Sequence, residues 1–192
     1  MSRAIDDEYR RHMAGVLSEG FVLDPLGYER LSRWTHVLMH VVNARANFEW
    51  VRDHPLELGD LNSSLRQQAF FVAGVMAYCR CYASSGPMIP RLDAKKVYVG
   101  SGDGQQVHER LIRLRNTIAA HTDASDIVRL TLAVKEEPER IIVRHLWTMA
   151  VPLDEIADFL EAVAHTEHFA TASLNKLLDR LQKEAGKQID LD

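Results

Sequence analysis

The amino-acid sequence predicts a mainly α-helical fold, an antiparallel bundle of about five helices with one β-hairpin inserted before the last helix. Three observations lead to this class. Apolar residues recur every three or four positions along most of the 192-residue chain, which is helical spacing. One segment, about residues 127–147, instead alternates apolar and polar residues as a strand does. Proline and glycine interrupt the helical pattern, and the length suits one domain, residues 1–192.

The first two predicted helices fill the N-terminal third of the chain. The first helix ends at Gly20. Asp24-Pro25 is a start signal for the second, because aspartate can cap free N–H groups and proline fits the first helical turn. Pro55 ends this helix. The two apolar stripes are Ile5, Tyr9, Met13, Val16 and Leu17, and then Leu31, Trp34, Leu38, Val41 or Val42, Arg45, Phe48 and Val51.

Two further helices are predicted on either side of a linker. The third begins near Asp60 or Asn62 and stops at Gly86-Pro87, and the fourth runs from about Gln105 to Ala120. We expect residues 88–104 between them to be a flexible linker, since they hold a proline and a cluster of glycines. The stripes are Leu65, Ala69, Val72, Met76, Cys79 and Tyr82, and then Val107, Leu111, Leu114 and Ile118.

The hairpin and the last helix complete the fold. Val128 to Val134 alternates in strand fashion, residues 136–139 form a turn, and Ile141 to Trp147 is the return strand. A long C-terminal helix, about residues 153–186, carries Ile156, Leu160, Val163, Ala170, Leu174, Leu177 and Leu181 on one face. At 1.5 Å per residue it spans roughly 45 Å, enough to bend or to extend beyond the bundle.

Charge and cysteine content narrow the possible functions. The net charge is −4 and the pI about 6.1, which disfavours a protein that coats nucleic acid through its overall field, although a small basic site is compatible with it. Cys79 and Cys81 are the only two cysteines, and their spacing on a helix keeps them from bridging. No stretch approaches the ~20 apolar residues of a membrane span. We therefore expect cytoplasmic localisation and no membrane partner.

A short motif on the fourth helix points to a function. Arg115-Asn116 is followed, after four residues, by His121, with Ala119-Ala120 just before the histidine. This segment resembles the signature of HEPN domains, an arginine commonly followed by a polar residue and then by a histidine. The resemblance covers about a dozen residues, and the antiparallel helical layout agrees with it. It implies a HEPN-like bundle, and a relation to metal-independent endoribonucleases of defence and toxin–antitoxin systems.

The three motif residues suit cleavage of RNA. A histidine with a near-neutral pKa can exchange protons with a 2′-hydroxyl or a leaving oxygen, so His121 is the candidate for proton transfer. The guanidinium of Arg115 can hold the scissile phosphate in a bidentate way, and the amide of Asn116 can orient either group. Attack by the 2′-hydroxyl of the RNA itself needs no metal and no cofactor. Neither is expected here.

Helical geometry predicts that a second copy of the chain is needed to complete the site. Six residues turn a helix by about 600°, which leaves Arg115 and His121 roughly 120° apart around the axis and about 9 Å apart along it. One chain alone therefore places them poorly for joint action. Two copies related by a two-fold axis can bring both pairs into one cleft, as in the nucleases of the family, so we expect a homodimer.

Basic residues near the motif are candidates for RNA binding. Arg110 and Arg113 precede Arg115 on the same helix, and Arg80 is near the end of the third helix, between Tyr78 and Tyr82. The two tyrosines share a helix face, which suits either stacking on single-stranded RNA or packing in the core. Core packing is the more common explanation for this spacing.

Other interpretations remain open. Other HEPN members bind only nucleotides or partner proteins, so the alternative to a nuclease is a catalytically silent module that binds a partner protein or a nucleotide. A cognate antitoxin is a further candidate partner. Arg115 can also pair with a carboxylate, and His121 can simply end its helix. The pair His36 and His40, and the set Glu161, His165 and His168, have metal-ligand spacing but lack the paired Glu-x-x-His pattern of di-iron bundles. We expect no metal at either.

Overall fold

The computed structural model describes residues 3–57, 60–83, 91–120, 128–149 and 151–191. Within these ranges the chain is mainly helical with one two-stranded antiparallel sheet, as the sequence predicts. No helix among the described residues is both long and apolar enough to cross a membrane. The elements are α1 (Arg3–Ser18), α2 (Glu29–Asp53), α3 (Leu61–Arg80), α4 (Ala94–Val97), α5 (Gly102–Ala120), β1 (Val128–Glu137), β2 (Arg140–Met149), a 3₁₀ turn (Leu153–Glu155) and α6 (Ile156–Ala185).

The core is formed where α2 packs against α3 and α6, with α5 closing the other side of α3 and α6. Three phenylalanine rings meet at its centre: the ring of Phe48 lies 6.2 Å from that of Phe71 and 5.7 Å from that of Phe159, centroid to centroid. All three are almost fully buried. An ion pair between Arg45 and Glu167 joins α2 to α6 at the edge of this core. Helices α3 and α6 each run antiparallel to α2.

Helix ends follow local chemistry, with one departure from the sequence prediction. Asp60 caps α3 by accepting a hydrogen bond of 2.8 Å from the backbone N–H of Asn62. The prediction that Asp24 starts the second helix is wrong, because α2 begins at Glu29. Asp24 has a φ of 45°, in the left-handed region, and belongs to a turn that continues to Gly27 at φ 97°.

The buried faces of α2 and α3 differ in detail from the predicted stripes. On α2, Val41 is buried and Val42 is exposed. On α3, Phe71, Val75 and Tyr78 are buried, whereas the predicted Leu65 is 40% exposed. Helix α3 contacts α2 on one side and α5 on another, so apolar residues surround much of it and periodicity alone does not locate the buried face. The predicted stripe of α5 is confirmed at Leu111 and Leu114.

The segment before α5 is packed against the bundle over its described part, residues 91–101. The short helix α4 lies within it, and Leu92, Val97 and Tyr98 are buried in the main core. A Cβ on Gly104 would lie 2.7 Å from the ring of Tyr98, so glycine there lets α5 approach this tyrosine closely. For residues 91–101 the prediction of a flexible linker is therefore wrong.

The β-hairpin is confirmed, with Val134 of β1 directly opposite Val143 of β2 and the turn between Glu137 and Arg140. Paired residues of an antiparallel ladder point to the same face. Leu132, Val134, Ile141 and Val143 therefore belong to one face, yet each is about half exposed or more. No helix in the described part of the chain packs extensively against the hairpin, so it does not cover the core.

Candidate functional site

Arg115 and Asn116 lie together near the C-terminal end of α5. Arg115 is half-buried and Asn116 is exposed. The Nη1 of Arg115 donates a hydrogen bond of 3.1 Å to the Oδ1 of Asn116. A guanidinium has five N–H donors in a planar fork. The bond to Asn116 uses one of these donors and orients the guanidinium, which has further donors that suit an anion.

Helix α3 supplies the surface behind Arg115. The thiol of Cys79 is buried against α5 and approaches the backbone oxygen of Leu111, with Sγ 3.6 Å away. Burial raises the pKa of this thiol to about 12, and the nearby Arg115 guanidinium opposes the rise. Cys79 therefore stays a neutral, unreactive thiol at neutral pH. It lies beside Arg115 without providing an opposite charge. Cys81 is also free and buried.

The third motif residue, His121, lies outside the described residues, which end on this side at Ala120. Its predicted role in proton transfer therefore stays a prediction. Helix α5 itself ends at Ala120, the last described residue before His121.

The three basic residues predicted to bind RNA have different surroundings. Arg110 forms a two-pronged ion pair with Glu155, at 2.9 Å for each of two N–O contacts, which fastens α5 to the start of α6. Arg113 is exposed on α5. Arg80 is exposed at the end of α3 and lies toward α2, near His40, rather than beside Arg115. Arg110 therefore has a structural partner, and Arg113 and Arg80 present cations to solvent.

Sequence reasoning missed His108, two helical turns before Arg115 on the same face of α5. Its Nδ1 shares a hydrogen bond of 2.9 Å with the hydroxyl of Tyr78, and its ring lies 4.3 Å from that of Tyr82. Burial lowers the pKa of His108 below its ordinary value, opposed by the charge of Glu109. The sequence signal that could have identified His108 is its spacing of seven residues from Arg115. Seven residues are nearly two full helical turns, so both residues lie on one face of the helix.

Behind His108 a network of hydroxyl groups crosses the core. Tyr98 lies at its centre, with its hydroxyl 2.6 Å from that of Tyr78 and 2.9 Å from the backbone oxygen of Ala162. The hydroxyl of Tyr82 lies 2.7 Å from that of Thr166. Tyr78 and Tyr82 are buried, so their predicted alternative as a stacking surface for RNA is wrong and core packing is correct. Each hydroxyl has a partner, as burial requires.

The histidine sets considered as metal ligands do not assemble in the described part of the chain. No group of three or more His, Cys, Asp or Glu residues there has a suitable arrangement. His165 and Glu161 form a loose pair on α6, with 3.8 Å between Nε2 and Oε1. Burial, followed by the charges of Arg80 and His36, lowers the pKa of His40.

Comparison with known proteins gives no match. Neither protein-family models, nor curated proteins, nor solved structures contain a significant similarity to this chain.

Proposed function

We propose that this chain is a HEPN-like, metal-independent endoribonuclease of a defence or toxin–antitoxin system, acting in the cytoplasm as a homodimer. The observation that supports it is the pairing of Arg115 with Asn116 on a half-buried face of α5. Among the described residues this guanidinium is hydrogen-bonded to an amide, lies beside a neutral thiol and forms no ion pair with a carboxylate, so its charge is available to a phosphate.

The proposed reaction uses the RNA as its own nucleophile. The 2′-hydroxyl oxygen attacks the adjacent phosphorus, the bond from phosphorus to the 5′-oxygen breaks, and a 2′,3′-cyclic phosphate and a 5′-hydroxyl result. His121 of one copy takes the proton from the 2′-hydroxyl, and a water molecule gives a proton to the leaving 5′-oxygen. Arg115 stabilises the negative charge that builds up on the phosphate oxygens.

The test is RNA cleavage by the purified full-length protein in excess EDTA, with mapping of the product ends. We expect cyclic-phosphate ends from wild type, and at least about 100-fold slower cleavage by His121→Ala and by Arg115→Ala, the usual effect of losing an acid–base or charge-stabilising group. Controls are His168→Ala and Arg180→Ala, which remove exposed side chains of the same types on α6. Equal cleavage by all five proteins would point to a contaminating nuclease.

A second candidate is a catalytically silent module that binds a partner protein. The hairpin supports it, because β1 and β2 expose an apolar face that no described helix covers. In that case no RNA is cut under any condition, and the Arg115 and His121 variants bind the partner as wild type does.

A further inference from the structure

The N-terminal segment has an apolar surface that the bundle leaves uncovered. No described side chain of α1 is buried, and none of the other helices packs closely against it. Tyr9 is 62% exposed and Leu26, in the turn before α2, is 92% exposed. Other large apolar residues exposed between them are Leu17, Phe21, Val22 and Leu23. So many exposed large apolar side chains within one segment favour a contact site there.

A groove lies at the beginning of α2. We call it the N-terminal groove; its volume is about 830 Å³, and its apolar walls are Pro25, Tyr28, Leu31, Met39 and Leu191. Arg33 also lines it, and the Nε of this arginine is buried without a hydrogen-bond acceptor among the described residues. Asp24 and Glu29 also line the groove, and the charge of Arg33 acts on Glu29, but within the described part of the chain the Nε of Arg33 has no acceptor of its own. A buried donor without a partner is costly, so an occupant that brings apolar side chains and an acceptor for this Nε fits the groove.

Helix α1 has the properties of that occupant. Tyr9, Met13 and Leu17 are spaced by four and form one apolar ridge. Asp6 lies on the same face, three residues before Tyr9 and seven before Met13, and provides a carboxylate for Arg33. The 16 residues of α1 span roughly 24 Å, longer than the part of α2 that lines the groove.

We propose that α1 of one copy docks in the N-terminal groove of a second copy, and that the two copies exchange these helices reciprocally. The turn that joins α1 to α2 supplies part of the groove wall, and within the described residues α1 makes no extensive contact with another helix of its own chain. Because the exchange is reciprocal, two docked helices contribute to one interface, and stable interfaces bury roughly 1,200–2,000 Å² in total. This contact uses residues other than those of the α5 cleft and joins the same two copies about the same two-fold axis, and it does not depend on the proposed nuclease.

The test begins with the mass of the full-length protein in solution, measured by light scattering across a dilution series. We expect a wild-type dimer and, for Met13→Glu, a dissociation constant at least tenfold higher. Ala14→Glu is the matched control, because it adds the same charge to an exposed neighbouring position about 100° away on α1. Since α1 buries none of its described side chains, circular dichroism should show both variants folded.

Crosslinking then identifies which chain fills the groove. Met13→Cys and Met39→Cys are placed in two differently tagged chains and co-expressed; the native thiols Cys79 and Cys81 are buried. We expect a disulfide-linked pair of unlike chains. A dimer unaffected by Met13→Glu overturns the proposal, and so does a monomer that forms the bond only when both cysteines are in one chain. Absence of the bond in either arrangement overturns it too. None of these readouts uses RNA cleavage.

Discussion

Arg115 acquires its proposed role from what surrounds its guanidinium. It is half-buried, bonded to the amide of Asn116, and set against a thiol that burial keeps neutral. A lysine there would offer a point charge on a flexible stem, without the planar fork that matches two phosphate oxygens. In contrast, Arg110 donates hydrogen bonds to both carboxylate oxygens of Glu155. This ion pair connects α5 to the start of α6.

His108 is a neutral side chain at neutral pH, because its ring is packed among tyrosines. Rings of Tyr78, Tyr82 and Tyr98 all lie within 6 Å of it, centroid to centroid. Burial raises the pKa of Tyr78 and Tyr82, so their hydroxyl groups stay neutral. They therefore provide no negative charge that would stabilise a protonated His108. The consequence is a measurable link between pH and stability.

We predict that the free energy of unfolding falls as the pH drops below about 6.5. In that range His108 binds a proton in the unfolded chain, whereas burial disfavours its protonation in the folded protein. The pKa of this histidine is lowered in the folded protein from 6.5, so its contribution is present at higher pH and lost on acidification. His108→Asn should flatten the slope, by at most about 1.4 kcal/mol per pH unit for one group. Urea unfolding at pH 7, 6 and 5 measures this.

The matched control for this prediction is His168→Asn, which changes an exposed histidine on α6 and should leave the slope as in wild type. His40, whose pKa is also lowered, keeps part of the slope in every variant. An unchanged slope in His108→Asn would show that the proton uptake belongs to other groups.

Among the elements, α2 and α3 pack closely against each other at Gly74. A Cβ at this position would lie 2.8 Å from the Phe48 ring, which is confined between Phe71 and Phe159. Glycine in a helix interior lowers helix stability by about 1 kcal/mol relative to alanine, so close packing outweighs helix propensity here.

Gly74→Ala should therefore lower the free energy of unfolding by about 1–3 kcal/mol, the usual effect of overpacking a core. Gly15→Ala is the control, since nothing lies within 4 Å of a Cβ at this position of α1. It should leave stability unchanged or slightly raise it. Both are measured by urea denaturation, and a stabilised Gly74→Ala would mean that the two helices can separate at little cost.

Sequence patterns predicted the elements better than their contacts. The spacing of apolar residues and the turn residues correctly predicted the hairpin and the extent of α6. This helix ends at Gly186, which has a φ of 64°. Asp24-Pro25 misled, because a capping residue needs extended backbone and this aspartate is left-handed. Tyr98 was missed as a core residue because neighbouring glycines suggested a linker, and only tertiary packing shows why Gly104 is there.

The candidate site could be predicted only in part. The adjacency of Arg115 and Asn116 on one helix follows from the sequence, and the hydrogen bond between them agrees with it. The neighbour Cys79 comes from another helix, so its contact depends on how α3 and α5 cross. The pairing of Arg110 with Glu155 spans 45 residues, and no local pattern shows it.

At the scale of the whole molecule, the described bundle closes one core and leaves two apolar surfaces outside it, the hairpin face and the N-terminal segment. An isolated two-stranded hairpin is marginally stable in water, which favours a contact for it in the assembly. A protein with such surfaces is suited to work with other chains. The proposed nuclease requires this as well, because it combines Arg115 of one copy with His121 of the other.

The central claim is that Arg115 of one copy acts with His121 of the other. The most direct test is to mix inactive Arg115→Ala and His121→Ala proteins under conditions that exchange subunits, and to measure RNA cleavage in EDTA. The account predicts that the mixture recovers a substantial fraction of wild-type activity, because each mixed dimer keeps one arginine facing one histidine across the two-fold axis. A mixture that stays inactive while containing mixed dimers, beside an active wild type, would contradict it.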